Sequence, residues 1–120
     1  MRRRRGADAG RRDPGGAGLT LYGTEVAFRL GPGTADEARA IAQGLAAAAD
    51  GCRRHVLFLD EEAGEYGCLA EWGSREDAAG YAERPATLAV LAALEARTGK
   101  PPRVRLYAME EDPGPAGPAL

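Results

Sequence analysis

The hydrophobic pattern of the chain contains four short segments in which apolar and more polar residues alternate. In the first of them, Val26, Phe28 and Leu30 are the apolar positions. A repeat of two places successive side chains on opposite faces, which is the pattern of a half-buried β-strand. We therefore predict four strands, over residues 24–30, 53–60, 66–72 and 103–109.

Between the first two strands, apolar residues recur at the spacing of an amphipathic helix. Thr34 and Glu37 form a T-x-x-E capping box, in which each side chain satisfies a backbone N–H group at the helix start. Gly51 stands where the chain must leave the helix, a common place for a left-handed residue. The pattern predicts a helix from Thr34 to about Ala49.

A second helical pattern follows the third strand. Ser74 and Asp77 have the spacing of a helix cap, and Pro85 interrupts the apolar stripe that follows. Because proline lacks a backbone N–H group, it either kinks a helix or starts a new one. We expect the helical region to continue to about Ala96 and to end before Gly99.

The predicted elements follow one another in the order β-α-β-β-α-β. This order is typical of the ferredoxin-like unit, an α+β fold. Right-handed crossovers place both helices on one face of a four-stranded antiparallel sheet. The opposite face of the sheet has no cover from the same chain.

The two faces of the predicted sheet differ in composition. The face expected beneath the helices is apolar and aromatic and consists of Val26, Phe28, Cys68, Ala70, Trp72, Val104 and Leu106. The uncovered face mixes apolar and oppositely charged side chains. Packing against another copy of the chain would bury the apolar side chains and pair the charged ones. We therefore predict a homodimer. Its expected interface residues are Arg29, Leu69, Glu71, Arg105 and Tyr107.

Composition divides the 120 residues into three parts. Residues 1–18 are rich in Arg and Gly and predict a disordered tail, with an anion- or nucleic-acid-binding arm as the alternative. Residues 19–111 form one predicted domain, and residues 112–120 a flexible C-terminal tail. A domain of about 90 residues buries only about 60% of its unfolded surface, so contact with a second copy would stabilise it.

Charge and motifs exclude several classes of function. The chain has 16 basic and 18 acidic residues, and after Gly18 only 10 basic residues remain beside 16 acidic ones. Such an acidic domain is unsuited to the phosphate backbone of nucleic acid. The spacing of His and Cys does not match a metal site. No run of apolar residues reaches the length that spans a membrane.

The two cysteines indicate the compartment. The expected pairing of the second and third strands separates Cys68 from Cys52 by roughly 20 Å, which is too far for a disulfide. No apolar run follows the N-terminal arginines, as a secretory signal requires. Reduced thiols therefore predict a cytoplasmic protein.

Four stretches of the chain carry a resemblance to known proteins. They are Asp50-Gly51-Cys52, Glu71-Trp72-Gly73-Ser74 with the helix after it, Arg84-Pro85, and Pro101-Pro102 before the last strand. Together they resemble the antibiotic biosynthesis monooxygenase family of dimeric α+β barrels, over about residues 25–110. The resemblance implies a ferredoxin-like dimer and a ligand pocket between helices and sheet, beside Trp72.

Members of that family include oxygenases that oxidise aromatic polyketide phenols without a cofactor, and oxygenases that degrade haem. The first group carries asparagine and tyrosine where this chain has Cys68 and Ala78. The second group uses an asparagine on the first strand, which this chain lacks there, and a helical histidine where this chain has Tyr81. These departures argue most strongly against haem degradation, and the resemblance as a whole favours a cofactor-independent monooxygenase of a small aromatic or polyketide-type metabolite.

The same resemblance suggests the site residues. His55, the only histidine, and Tyr81 are candidates for proton transfer. The candidates for substrate contact are Trp72, Phe28, Cys68 and Val26. Core packing is the alternative for Trp72 and Cys68, and an ordinary strand or helix position is the alternative for His55 and Tyr81. No cofactor and no metal is predicted.

Two other functions remain open for this fold. One is a non-catalytic dimer that binds a small ligand, and the other is a cyclase or isomerase that needs only acid–base groups. In each case the expected partners are a small aromatic or polyketide-like ligand and a second copy of the chain, with neither nucleic acid nor membrane. Fold alone does not separate these functions.

Overall fold

The structure, a computed structural model, describes residues 20–114. The predicted N-terminal tail and residues 115–120 of the predicted C-terminal tail lie outside the described residues. The elements are β1 (Leu21–Arg29), α1 (Ala35–Ala48), β2 (Arg54–Asp60), β3 (Glu65–Trp72), α2 (Arg75–Ala82), α3 (Pro85–Thr98) and β4 (Arg103–Met109). Within the described part, no helix is both long enough and apolar enough to cross a membrane.

The four strands form one sheet in the order β2-β3-β1-β4. Both β1 and β2 pair antiparallel with β3, so that Cys68 lies between Val26 on one side and Leu57 on the other. The strand order and the βαββαβ connection confirm the predicted ferredoxin-like α+β fold.

The register of the sheet decides which side chains face the helices. Val26, Cys68 and Leu57 form one row, and Phe28, Tyr66 and Leu59 form the next. The buried members of these rows pack against apolar residues of α1 and α3 to make the main core. The predicted helix-facing set is confirmed for Val26, Phe28, Cys68, Ala70 and Trp72, all of which are buried.

The prediction for β4 is only half right. Val104 packs against the main core as expected, whereas Leu106 is 47% exposed. The main helix contacts fall on β1, β2 and β3, and α3 packs against α1 and α2. The expected burial of Leu106 is therefore wrong, because its side chain lies outside the core that Val104 contacts.

The predicted capping box at the start of α1 is also wrong. The Thr34 hydroxyl donates to the Gly31 carbonyl at 2.7 Å and lies 2.9 Å from the Tyr66 hydroxyl, and it makes no cap bond. Glu37 instead accepts two hydrogen bonds from Arg97 of α3, at 2.8 and 3.1 Å. Partners that are distant in sequence have replaced the local bonds that the pattern suggests.

The second helical region follows its prediction. Ser74 caps α2 by accepting a hydrogen bond from the Asp77 N–H group at 3.0 Å. Pro85 starts α3, which makes two helices where the pattern allowed either a kink or a break. Arg84 is extended, as expected of a residue that precedes proline.

Candidate functional site

Trp72 lies in a small second core between the sheet, α1 and α2. It is 2% exposed, and its ring centroid is 5.2 Å from that of Tyr81, at a tilt of 40°. The rest of this core consists of small side chains, namely Ala48, Ala49, Ala70 and Ala78. Because these side chains are small, the rings of Trp72 and Tyr81 fill most of this core.

Arg84 covers the Trp72 core with its guanidinium group. The group lies 5.1 Å from the Trp72 ring centroid and 5.9 Å from that of Tyr81, in cation–π positions. It also donates to the carbonyl oxygens of Ala48 and Asp50, at 3.0 and 2.9 Å. These carbonyls lie at the end of α1, whose last turn has no basic residue, so Arg84 supplies the donors and the positive charge there.

The two predicted proton-transfer residues are in different environments. The Tyr81 hydroxyl is buried and donates to the Leu45 carbonyl at 3.1 Å. Burial raises the pKa of Tyr81 to about 12, so this phenol stays protonated at neutral pH. His55 lies on β2 opposite Ala70, and burial lowers its pKa, so its imidazole is neutral at pH 7. Its buried Nε2 has no hydrogen-bond partner among residues 20–114.

Val26 and Cys68 are parts of the main core. Their side chains are 1% and 2% exposed, and they face each other across β1 and β3. Burial raises the pKa of the Cys68 thiol to about 12, which keeps it protonated and unreactive. Cys52 and Cys68 are both free thiols.

A cleft of about 700 Å³ opens at the end of the sheet where β1 finishes and residues 98–103 lead into β4. This volume is typical of sites for small molecules. Its apolar lining includes Phe28, Phe58, Leu59, Tyr66, Pro101 and Pro102. We call it the β1-end cleft.

Of the predicted site residues, the β1-end cleft includes Phe28 and the predicted interface residue Arg29. Phe28 and Trp72 belong to opposite ends of the β1–β3 ladder, since Trp72 pairs with Tyr22, six residues before Phe28. Six residues of a strand span roughly 20 Å. The structure therefore does not bring Phe28 together with Trp72, Tyr81 and His55, and the roles predicted for these residues stay predictions.

Tyr66 lines the cleft, and its hydroxyl contacts Thr34 outside the cleft lining. The single proton of the Thr34 hydroxyl is used by the Gly31 carbonyl, so the Tyr66 hydroxyl must be the donor in its contact with Thr34. The Tyr66 oxygen is therefore left able to accept a hydrogen bond. Sequence reasoning missed this residue because the contact joins positions 32 residues apart.

Charged side chains of both signs line the same cleft. They are Glu25, Arg29, Asp60, Glu65, Lys100 and Arg103. Arg29 pairs with Glu65 at 3.4 Å, and Glu25 accepts a hydrogen bond from the Tyr107 hydroxyl at 2.8 Å. Within the described residues, no group of three or more His, Cys, Asp or Glu side chains is arranged to hold a metal ion.

Comparison with solved structures identifies the fold. Rv0793 from Mycobacterium tuberculosis has a TM-score of 0.60 at 20% identity, covering 78% of this chain and 99% of its own. A variant of SnoaB, a cofactor-independent oxygenase from Streptomyces nogalater, has a TM-score of 0.55 at 18% identity, covering 74% and 90%. An antibiotic biosynthesis monooxygenase has a TM-score of 0.51 at 15% identity, covering 78% and 99%.

No protein-family sequence model and no curated protein matches the chain. The similarity therefore lies in the fold. This chain is a ferredoxin-like α+β domain with the architecture of the antibiotic biosynthesis monooxygenases. The resemblance to that family seen in the sequence is thus confirmed at the level of the fold.

Proposed function

We propose that the β1-end cleft binds a small aromatic or polyketide-type metabolite, and that the protein oxidises this ligand with O₂ and without a cofactor. The observation that carries the proposal is a cleft of ligand size in which aromatic walls lie beside carboxylates. Phe58 and Glu25 both lie on the face of the sheet opposite the helices, so an aromatic side chain and a carboxylate line the same side of the cleft, whereas Phe28 and Tyr66 line its helix-facing side. The fold is shared with SnoaB, a cofactor-independent oxygenase, which supports the choice of chemistry.

The chemistry needs no redox group of the protein if the substrate is an electron-rich phenol. Its phenolate reduces O₂ directly; the substrate loses two hydrogens and gains one oxygen, and the second oxygen leaves as water. The protein has to remove the phenolic proton, hold the anion and exclude water. In the cleft Glu25 would accept the proton, and Arg29 would stabilise the anion. His55 and Tyr81 are the predicted pair for a ligand bound between helices and sheet.

One observation favours binding without turnover as the second candidate function. The lining of the cleft contains no histidine, and the hydroxyl of Tyr81 is already used by the Leu45 carbonyl. A binding protein would need only the apolar walls. A cyclase or isomerase would need the acid–base groups but no O₂.

With 1,8-dihydroxyanthrone as a model phenol, we expect O₂ uptake above the uncatalysed rate, in buffer that contains a metal chelator and no flavin. One atom of ¹⁸O₂ should appear in the product. Glu25→Gln should lower the rate by about a hundredfold, because a positioned base contributes about that factor. The amide can still accept the Tyr107 hydrogen bond. An oxygen electrode measures the rate of O₂ uptake, and mass spectrometry measures the ¹⁸O in the product.

Glu95 is an exposed residue of α3 outside the cleft. Glu95→Gln is therefore the matched control and should leave the rate unchanged. Saturable binding with no O₂ uptake would replace the oxygenase with a binding protein. A rearranged product formed without O₂ would indicate an isomerase.

We also propose that two copies pack through the open face, the sheet surface opposite the helices. Its apolar residues are Ala27, Val56, Phe58, Leu69 and Tyr107, of which Phe58 is 49% and Tyr107 38% exposed. Glu71 pairs with Arg54 at 3.2 Å and Arg29 pairs with Glu65 inside one chain, so these charges already have partners. Because Ala27 and Phe58 also line the β1-end cleft, the contact would be centred on Val56, Leu69 and Tyr107, with Arg105 at its edge and the cleft at its margin.

Leu69→Glu should convert the dimer into a monomer. Leu69 lies in the middle of the open face, opposite Val56 and Glu25, so a carboxylate there would be buried without a counter-charge. Leu88→Glu is the matched control, since Leu88 is 45% exposed on α3. Light scattering after size exclusion measures the mass. A monomeric wild type, or a Leu69→Glu variant that stays dimeric, would refute this interface.

A further inference from the structure

Two cations stand at the β1-end cleft in a domain with an excess of acidic residues. Lys100 and Arg103 line the cleft and are both exposed; Lys100 lies in the segment between α3 and β4, and Arg103 is the first residue of β4. Three of the 10 basic residues that follow Gly18, namely Arg29, Lys100 and Arg103, line this one cleft, together with the carboxylates Glu25, Asp60 and Glu65.

The partners of these cations differ. Arg29 already has a carboxylate partner, Glu65, at 3.4 Å on the surface. Lys100 and Arg103 form no ion pair with any carboxylate of residues 20–114. Glu25 accepts from Tyr107, and Asp60 accepts from the Ala63 N–H group at 3.2 Å. The two cations can therefore interact with an anionic group of a ligand without first breaking a salt bridge of the described structure.

The backbone between the two cations is stiff. Pro101 and Pro102 each have a fixed φ angle and no N–H group to donate. The segment therefore cannot bind an anion through its own amides at these positions, and the side chains of Lys100 and Arg103 must do so. Thr98 holds the start of the segment, because its hydroxyl oxygen accepts a hydrogen bond from the Lys100 N–H group at 3.2 Å and lies within hydrogen-bond distance of the Leu94 and Lys100 carbonyls.

We propose that the ligand of the β1-end cleft is an aromatic carboxylate. Its ring lies against Phe58 on the face of the sheet opposite the helices, and its carboxylate lies between Lys100 and Arg103. This inference rests on the proposed function and narrows the substrate to a phenol that also carries a carboxylate. A carboxylate is ionised throughout the neutral pH range, whereas an ordinary phenol is not, so the cations select it before any proton is removed.

Calorimetric titration of the full chain with 2-naphthoate and with its neutral isostere 2-naphthamide tests the inference. At low ionic strength, the naphthoate should bind about tenfold more tightly, as expected for charge-assisted contacts at a partly open site. In the double variant Lys100→Gln, Arg103→Gln this preference should fall to about twofold or less. The affinity for 2-naphthamide should be unchanged, because the apolar walls remain.

Two further variants locate the effect. Arg39→Gln removes an exposed arginine of α1, away from the cleft, and should keep the tenfold preference. Phe58→Ala should weaken both probes equally, since it shortens the wall that each ring contacts. If Arg39→Gln lowers the preference as much as the double variant does, the overall charge of the protein selects the anion and the proposed pair is refuted.

The outcomes separate this inference from the proposed function. Equal affinity for the two probes would overturn the carboxylate while leaving an aromatic site in place. Failure of both probes to bind would overturn the cleft as an aromatic site, and with it the proposed function. Preference for the naphthoate together with no O₂ uptake from any phenol would support the ligand class and refute the oxygenase.

Discussion

Replacing Gly64 with alanine should destabilise the protein by about 3 kcal/mol or more. Gly64 has a φ angle of +71°, and a β-carbon on it would overlap the backbone of Gly31. Its carbonyl accepts hydrogen bonds from Leu30 at 2.9 Å and from Gly31 at 3.3 Å, which hold the β2–β3 turn against the end of β1. An alanine would pay the left-handed penalty of about 1–2 kcal/mol and also force these turns apart. Urea unfolding followed by circular dichroism measures the loss.

Substitutions at two other glycines separate the left-handed backbone penalty from the steric overlap as causes of the lost stability. Gly33 has a φ angle of +76° with open space around the position of a β-carbon, so Gly33→Ala should cost only about 1–2 kcal/mol of backbone strain. Gly73 has neither a left-handed φ nor a close neighbour, so Gly73→Ala should change stability by about 0.5 kcal/mol at most. A Gly64→Ala variant no less stable than Gly33→Ala would show that the two turns separate without cost.

Trp72→Ala should cost about 3–5 kcal/mol, the usual range for a large aromatic removed from a core. The side chain is 2% exposed, contacts Tyr81 and lies beneath Arg84. The alanines around it are too short to fill the space it leaves. Because Trp72 is the only tryptophan, far-UV circular dichroism in urea is the measurement rather than fluorescence.

Phe58→Ala is the control for that loss. Phe58 is an aromatic residue of similar kind but 49% exposed, and its removal should cost about 1 kcal/mol. If Trp72→Ala were no more costly than Phe58→Ala, core packing would be refuted as the role of Trp72. The prediction that Trp72 lines a ligand pocket would then be preferred.

Much of the fold follows from short-range patterns. Alternation identified all four strands, and β4 matched its predicted bounds. β1 begins at Leu21, three residues before the prediction, because Tyr22 and Gly23 continue the ladder opposite Trp72 and Glu71. Pairing across the sheet, which a single-strand pattern does not contain, decides where a strand ends.

Such patterns predicted much less of the candidate site. The β1-end cleft is built from β1, β2, β3, α3 and the segment before β4, and Phe28 is the only predicted substrate-contact residue in it. The Arg84 contacts join positions 34 and 36 residues apart. Residue chemistry alone singled out His55 and Tyr81, but burial and hydrogen bonding determine what these groups do in the folded chain.

The sequence by itself determined the order of elements, the helix-facing rows of the sheet and the break at Pro85, since these depend on periodicity and on the backbone chemistry of single residues. Only the tertiary structure decided that Thr34 binds Tyr66 rather than capping α1, that Leu106 stays exposed, and that Phe28 and Trp72 lie at opposite ends of the sheet. Each of these outcomes is a competition between partners far apart in the chain, which is resolved only when the register brings them together.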